Sequence, residues 1–182
     1  TPPAAKGAGW TYTVLHKFGG GDDGSQPVAG LILDRRGALF GTTSKGGAAN
    51  LGTVFKLTPP VSGASQWTST ILHSFVGGND DGARPVAGLI AGPDGALYGT
   101  TLYGGGSGCD AACGTVFKLA QVPGKNRWKQ TILHRFAPDS SDGSEPNAEL
   151  IADQDGALYG TTSKGGNGNA GTVFQRVPPE TG

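Results

Sequence analysis

One phrase occurs three times in this chain, and a chain that repeats itself must fold as a set of like units. The phrase runs from a tryptophan through a Leu-His pair to a phenylalanine: WTYTVLHKF from Trp10, WTSTILHSF from Trp67 and WKQTILHRF from Trp128. Trp67 follows Trp10 by 57 residues (67 − 10), and Trp128 follows Trp67 by 61 (128 − 67). Each copy goes on to DG-x-x-P, then G-A-L-[FY]-G-T-T, then G-T-V-F. Self-similarity of this kind marks an array whose units bury their apolar faces against neighbours. Every tryptophan and every histidine falls at an equivalent position, so these residues answer to the array before they answer to any site.

Within a copy the pattern is that of short strands. VAGLILD, VAGLIAG and NAELIAD alternate as strands do and close on the turn signals R-R-G, P-D-G and Q-D-G. The chain returns through ALFGTT or ALYGTT and crosses a glycine-rich loop of variable length: SKGGAANL, LYGGGSGCDAAC or SKGGNGNA. GTVFKLT, GTVFKLA or GTVFQRV makes a third strand, and the Trp-to-Phe phrase makes the fourth. The 34 glycines favour tight turns over helix interiors, and no segment sustains a 3.6-residue period, so almost no helix is expected. The expectation is an all-β, single repeat domain over 1–182, with copies at approximately 19–75, 76–136 and 137–182 and strand 10–18 ahead of them.

Four antiparallel strands with G-x-L-[FY]-G-T-T as the second resemble a β-propeller blade, as in NHL and two-component-regulator repeats. The segments GLILDRRGALFGTTSKGG…GTVFKL, GLIAGPDGALYGTTLYGG…GTVFKL and ELIADQDGALYGTTSKGG…GTVFQR resemble the GloVer repeat of bacterial choice-of-anchor surface proteins. That resemblance implies a secreted or surface-anchored location and brings no established chemistry. With strands lettered A to D, the chain reads D, ABCD, ABCD, ABC, so the last blade lacks its outer strand. Propellers have about 4–8 blades, and three do not close. Two chains make six, each N-terminal strand completing its partner's last blade in a head-to-tail homodimer with two-fold symmetry. The alternative is a β-trefoil-like three-fold monomer.

Charge excludes some partners. Fourteen basic residues balance fourteen acidic ones, which leaves no net field for nucleic acid or an anionic membrane surface. No apolar run approaches the ~20 residues of a membrane-spanning helix. A start at Thr1 and the absence of methionine suggest a processed or excised segment, with an extracellular, cell-surface or periplasmic setting in a bacterium. Cys109 and Cys113 lie in a CDAAC insertion of the second copy alone, and a local disulfide is expected there. No cofactor is expected.

Strand alternation puts Trp10, Tyr12, Val14, His16 and Phe18 on one face and Leu15 on the other. Structural roles are therefore expected for Trp10, His16, Trp67, His73, Trp128 and His134, with each histidine hydrogen-bonded to a neighbouring strand or loop. Asp22, Asp23, Asp80, Asp81, Asp139 and Asp142 offer oxygens to calcium, but they lack a D-x-D-x-D-G run, and Asp-Gly turns capping local amides account for them better. No catalytic constellation repeats or stands out. Three departures from symmetry do: Tyr103 where Lys45 and Lys164 are equivalent, the CDAAC insertion, and Glu149 in place of a glycine. Lys45, Arg84, Tyr103 and Lys164 are the expected ligand contacts of an extracellular, non-enzymatic binding or scaffold module, with multivalent glycan recognition through equivalent loops. A structural self-assembly element is the alternative, and a carbohydrate-active enzyme is the third reading.

Overall fold

Alternating short strands and glycine turns give three separate antiparallel sheets, one for each copy of the repeat. The computed structural model describes residues 9–61, 64–106, 113–137 and 142–179. Sheet I holds β1 (Ile32–Leu33), β2 (Leu39–Thr43), β3 (Thr53–Thr58) and β4 (Thr68–Ser74), paired in chain order. A short β5 (Gly82–Ala83) leads into sheet II, made of β6 (Ile90–Ala91), β7 (Leu97–Thr101), β9 (Thr115–Gln121) and β10 (Trp128–Arg135), while β8 (Tyr103–Gly104) folds back onto β5. Sheet III has β11 (Ile151–Ala152), β12 (Leu158–Thr162) and β13 (Thr172–Arg176), and among the described residues no fourth strand. The only helical turns among the described residues are two 3₁₀ turns, Gly21–Asp23 and Asn167–Asn169.

The first strand of each sheet is shorter than its apolar run because a local turn captures it early. Asp34 accepts from the backbone N–H groups of Arg36 and Ala38, both at 2.8 Å, and Asp153 does the same for Asp155 and Ala157. The β2–β3 ladder runs unbroken from Leu39↔Leu57 to Thr43↔Thr53 and is reproduced in sheets II and III.

Two expectations change at the fourth strand. Residues 10–18 form no strand within the chain, and none of the sheets closes, so a single chain completes neither a ring nor a three-fold barrel. Strict alternation also fails in the phrase. The register passes from Ile71 to His73 and from Ile132 to His134, leaving Leu72 and Leu133 as bulges. Leu72 therefore packs on the same cluster as Trp128 rather than pointing away from it.

The core lies between sheets. Ala38, Phe40 and Val54 of sheet I meet Leu89, Leu97, Phe117 and Leu119 of sheet II around Phe75. A second cluster joins Val116 and Phe136 to Leu150 and Leu158 of sheet III, with Phe174 against it. Apolar burial is the main favourable term in folding, and here the buried clusters span neighbouring sheets.

Candidate functional site at the sheet junctions

Each junction is assembled from the same few residues. The histidine of the phrase faces the aspartate of the following DG turn: His16 Nε2 lies 3.0 Å from Asp23, His73 3.1 Å from Asp81, and His134 2.9 Å from Asp142. The same carboxylates accept backbone N–H groups from Gly19 (2.8 Å), Val76 (2.9 Å) and Ala137 (2.8 Å). Each imidazole stands edge-on to the phenylalanine two residues on, at 4.7–4.8 Å. That phenylalanine packs on the third strand of the next sheet in turn: Phe18 on Phe55, Phe75 on Phe117, Phe136 on Phe174. The fourth strand thus pairs with its own sheet and is fastened to the next.

A second fastening is polar. Gln26, Arg84 and Glu145 stand immediately before proline with φ of 58°, 54° and 56°, a left-handed conformation costing about 1–3 kcal/mol in a residue with a side chain. At Arg84 and Glu145 hydrogen bonds on both sides hold it. Arg84 N–H donates to Leu51 O (2.7 Å) and Glu145 N–H to Cys113 O (3.0 Å), both back across the junction. Their carbonyls accept from Leu102 and Ser163, as that of Gln26 does from Ser44. The prolines that follow cover glycines of the preceding sheet. A Cβ on Gly52 would fall 2.7 Å from Pro85 Cδ, and one on Gly114 would fall 2.6 Å from Pro146 Cδ. Thr42 Oγ1 donates to Ala87 O (3.1 Å) and Thr100 Oγ1 to Ala148 O (3.4 Å), completing the contact.

The structure gathers the four expected ligand contacts into equivalent pairs. Glu145 and Lys164 form an ion pair at 2.8 Å, the Arg84 guanidinium lies 5.2 Å over the Tyr103 ring, and Gln26 stands at the place beside Lys45. The departure at Tyr103 thus has a local cause: in the second copy the cation sits on residue 84 and the ring on residue 103. The hydrogen bond that Lys164 donates to Glu145, and the Glu145 charge, raise the Lys164 pKa, with a further electrostatic contribution from Tyr103, so adjacent pairs feel one another. Lys45 and Lys164 are exposed, whereas Arg84 and Tyr103 are half-buried.

The remaining candidates fall in place around these pairs. Asp23 and Asp81 are occupied by histidine and backbone amides, while Asp22 and Asp80 are exposed, Asp80 lying 3.4 Å from Arg135. Among the described residues no group of three or more His, Cys, Asp or Glu side chains gathers. Glu149 lies over Gly88, the glycine at its own equivalent position in the preceding copy, where a Cβ would fall 3.0 Å from the carboxylate. Cys113 is buried, and Cys109 and Asp139 lie outside the described residues. The histidine–aspartate pairing was missed in the sequence, although its separation of 7, 8 and 8 residues in the three copies is a readable signal.

A family model described as the Gloeobacter/Verrucomicrobia repeat matches residues 4–182. The chain belongs to this family. No curated protein matches it. The Gloeobacter/Verrucomicrobia repeat here carries its recurring residues at the junctions rather than around a cleft. Among the described residues no helix is long and apolar enough to cross a membrane.

The two ends of this repeat protein present the same residues uncovered. Leu89 and Leu150 are 0% and 1% exposed, whereas their equivalent Leu31 is 53% exposed. Val54 and Val116 are 0% exposed, whereas Val173 is 82% exposed. Pro85 and Pro146 are buried and Pro27 is exposed; Thr42 and Thr100 are buried and Thr161 is exposed. One end thus carries the proline side of a junction and the other carries the glycine side.

Proposed function

We propose that the chain is a self-assembling extracellular scaffold, two copies of which close head to tail into a six-bladed ring with two-fold symmetry. The observation that carries this is the contrast between Leu31 and Val173 and their buried equivalents, because each open end is half of a contact the chain makes twice internally. A surface that leaves such residues in water is one that a partner covers. In the ring, Gln26 N–H donates to Ala170 O of the other copy, as Arg84 does to Leu51, and Pro27 covers Gly171 as Pro85 covers Gly52. Residues 10–18 become the fourth strand of sheet III. The β3–β4 register sets the pairing: Lys17 opposite Thr172, His16 opposite Val173, a bulge at Leu15, and Val14 opposite Phe174. Pairing also removes an exposed sheet edge, a known route to aggregation.

The loop pairs support a second reading, weak multivalent recognition of glycans. Its support is their repetition along one side, and six pairs in a ring would raise avidity over any single contact. Native mass and light scattering test the first reading. The expected mass is twice the 18.3 kDa of one chain, and removal of residues 1–18 returns a monomer. A wild-type chain that stays monomeric at every concentration overturns the ring. A glycan array, repeated with Lys45→Ala and Tyr103→Ala, tests the second, and an array that either variant leaves unchanged removes it.

A further inference from the structure

Three tryptophans open the three copies of the phrase, and two of them are seated. The Trp128 ring lies 6.4 Å from Phe40, beside Thr70, Ile71 and Leu72 of the preceding fourth strand, with Lys56 Nζ 5.4 Å from that same Phe40 ring. Trp67, one copy earlier, lies alongside Val14, Leu15 and His16 of the first phrase. The same relation one copy later falls on a groove between sheets II and III, lined by Tyr98, Lys118, Leu133, Leu158, Arg176 and Val177. Its wall repeats the seat of Trp128 position by position. Tyr98 stands for Phe40, Leu133 for Leu72, and Lys118 for Lys56, with its Nζ 5.5 Å from the Tyr98 ring as Lys56 is from Phe40. Among the described residues no tryptophan enters this groove, and Trp10 is 80% exposed.

We propose that the groove is a tryptophan socket and that Trp10 of a second copy fills it, an inference that rests on the strand-exchanged ring. The indole brings a large apolar surface to the Tyr98 and Leu158 wall, and its face lies open to the Lys118 and Arg176 cations, which favour an aromatic ring. Trp10 is then the anchor of the exchanged strand, a buried aromatic at the centre of an otherwise main-chain contact. The bulge at Leu133, which lines the groove, repeats the bulge at Leu72 beside Trp128.

The test compares Trp10→Ala and Val177→Trp with the wild type by sedimentation equilibrium on the full chain. Trp10 is exposed, so its removal leaves the monomer's unfolding midpoint where it is. Both variants are expected to raise the dimer dissociation constant at least about 30-fold, the first by removing the anchor and the second by filling the groove from the same chain. A peptide of residues 9–18, titrated into the full chain, is expected to compete with dimerisation, whereas the same peptide with Trp10→Ala is not. If either variant dimerises like the wild type, the socket is overturned and the ring stands. If the wild type is monomeric yet binds the peptide through its tryptophan, the ring is overturned and the socket stands. A monomer that binds neither peptide overturns both.

Discussion

Leu31 and Leu89 are the same residue in two copies, so truncating each to alanine isolates what an adjacent sheet contributes. Leu89 is wholly buried in the cluster between sheets I and II. Leu89→Ala should lose about 3 kcal/mol of folding stability, within the lower half of the range for a core leucine. For a chain of this length that lowers the unfolding midpoint by about 6–12 °C, at any protein concentration. Leu31 is 53% exposed in the single chain. A leucine fully removed from water gains about 1.5–3 kcal/mol, so roughly half of that, about 0.8–1.5 kcal/mol, remains to be gained when a second copy covers each Leu31. Leu31→Ala should therefore leave the dilute chain within about 2 kcal/mol of wild type and, because the two-fold ring buries this leucine at two junctions, weaken assembly by twice that amount, about 15- to 160-fold in the dimer dissociation constant. Thermal unfolding at dilute and concentrated protein, with sedimentation equilibrium at 25 °C, separates the two terms. Equal damage from both variants in the dilute chain, or a dissociation constant that Leu31→Ala does not move, would refute the equivalence of the open face with the internal junction.

Three further outcomes follow from single residues. Asp81 is buried and accepts from Val76 and Gly82 while facing His73, so Asp81→Asn turns an amide N–H against a donor and should cost about 2 kcal/mol, read by chemical denaturation. Gly114 has φ of 87°, and a Cβ there falls 2.4 Å from Thr101 O, so Gly114→Ala should cost well over about 1 kcal/mol in the same assay. The Lys118 ammonium, 2.8 Å from Asp94, holds that carboxyl below the ordinary aspartate range. This contribution is present at neutral pH and is lost as pH falls through the lowered value. The partly exposed pair is worth only about 0.2–1 kcal/mol, so the sharper measurement is an NMR titration in which Lys118→Met returns Asp94 toward its ordinary value.

What was legible in the chain was what local rules decide. The hairpin turns at Asp34 and Asp153, the G-T-T to G-T-V-F ladder and the capping role of the DG aspartates follow from turn chemistry and two-residue alternation, which need no distant partner. Leu72 and Leu133 escaped because a bulge is a property of two strands together, invisible in the alternation of one. Gln26, Arg84 and Glu145 escaped for a stronger reason: a residue before proline is expected to be extended, yet all three adopt a left-handed turn, Arg84 and Glu145 with a bond to the preceding sheet and Gln26 with the bond from Ser44 alone. The pairing of Arg84 with Tyr103 is likewise a contact between elements, although the paired departure from Gln26 and Lys45 carries its trace in the sequence.

Each folded sheet falls within one covalent copy, yet the Trp67 and Trp128 phrases hydrogen-bond to their own sheets and lock their ends into the next. A cut at any equivalent position therefore leaves matching halves, and a whole copy gained or lost by recombination leaves every surviving seam unchanged. Such an event alters how many sheets one chain contributes without requiring a single compensating substitution. The seam fixes the chemistry of growth, while copy number is free to set its size.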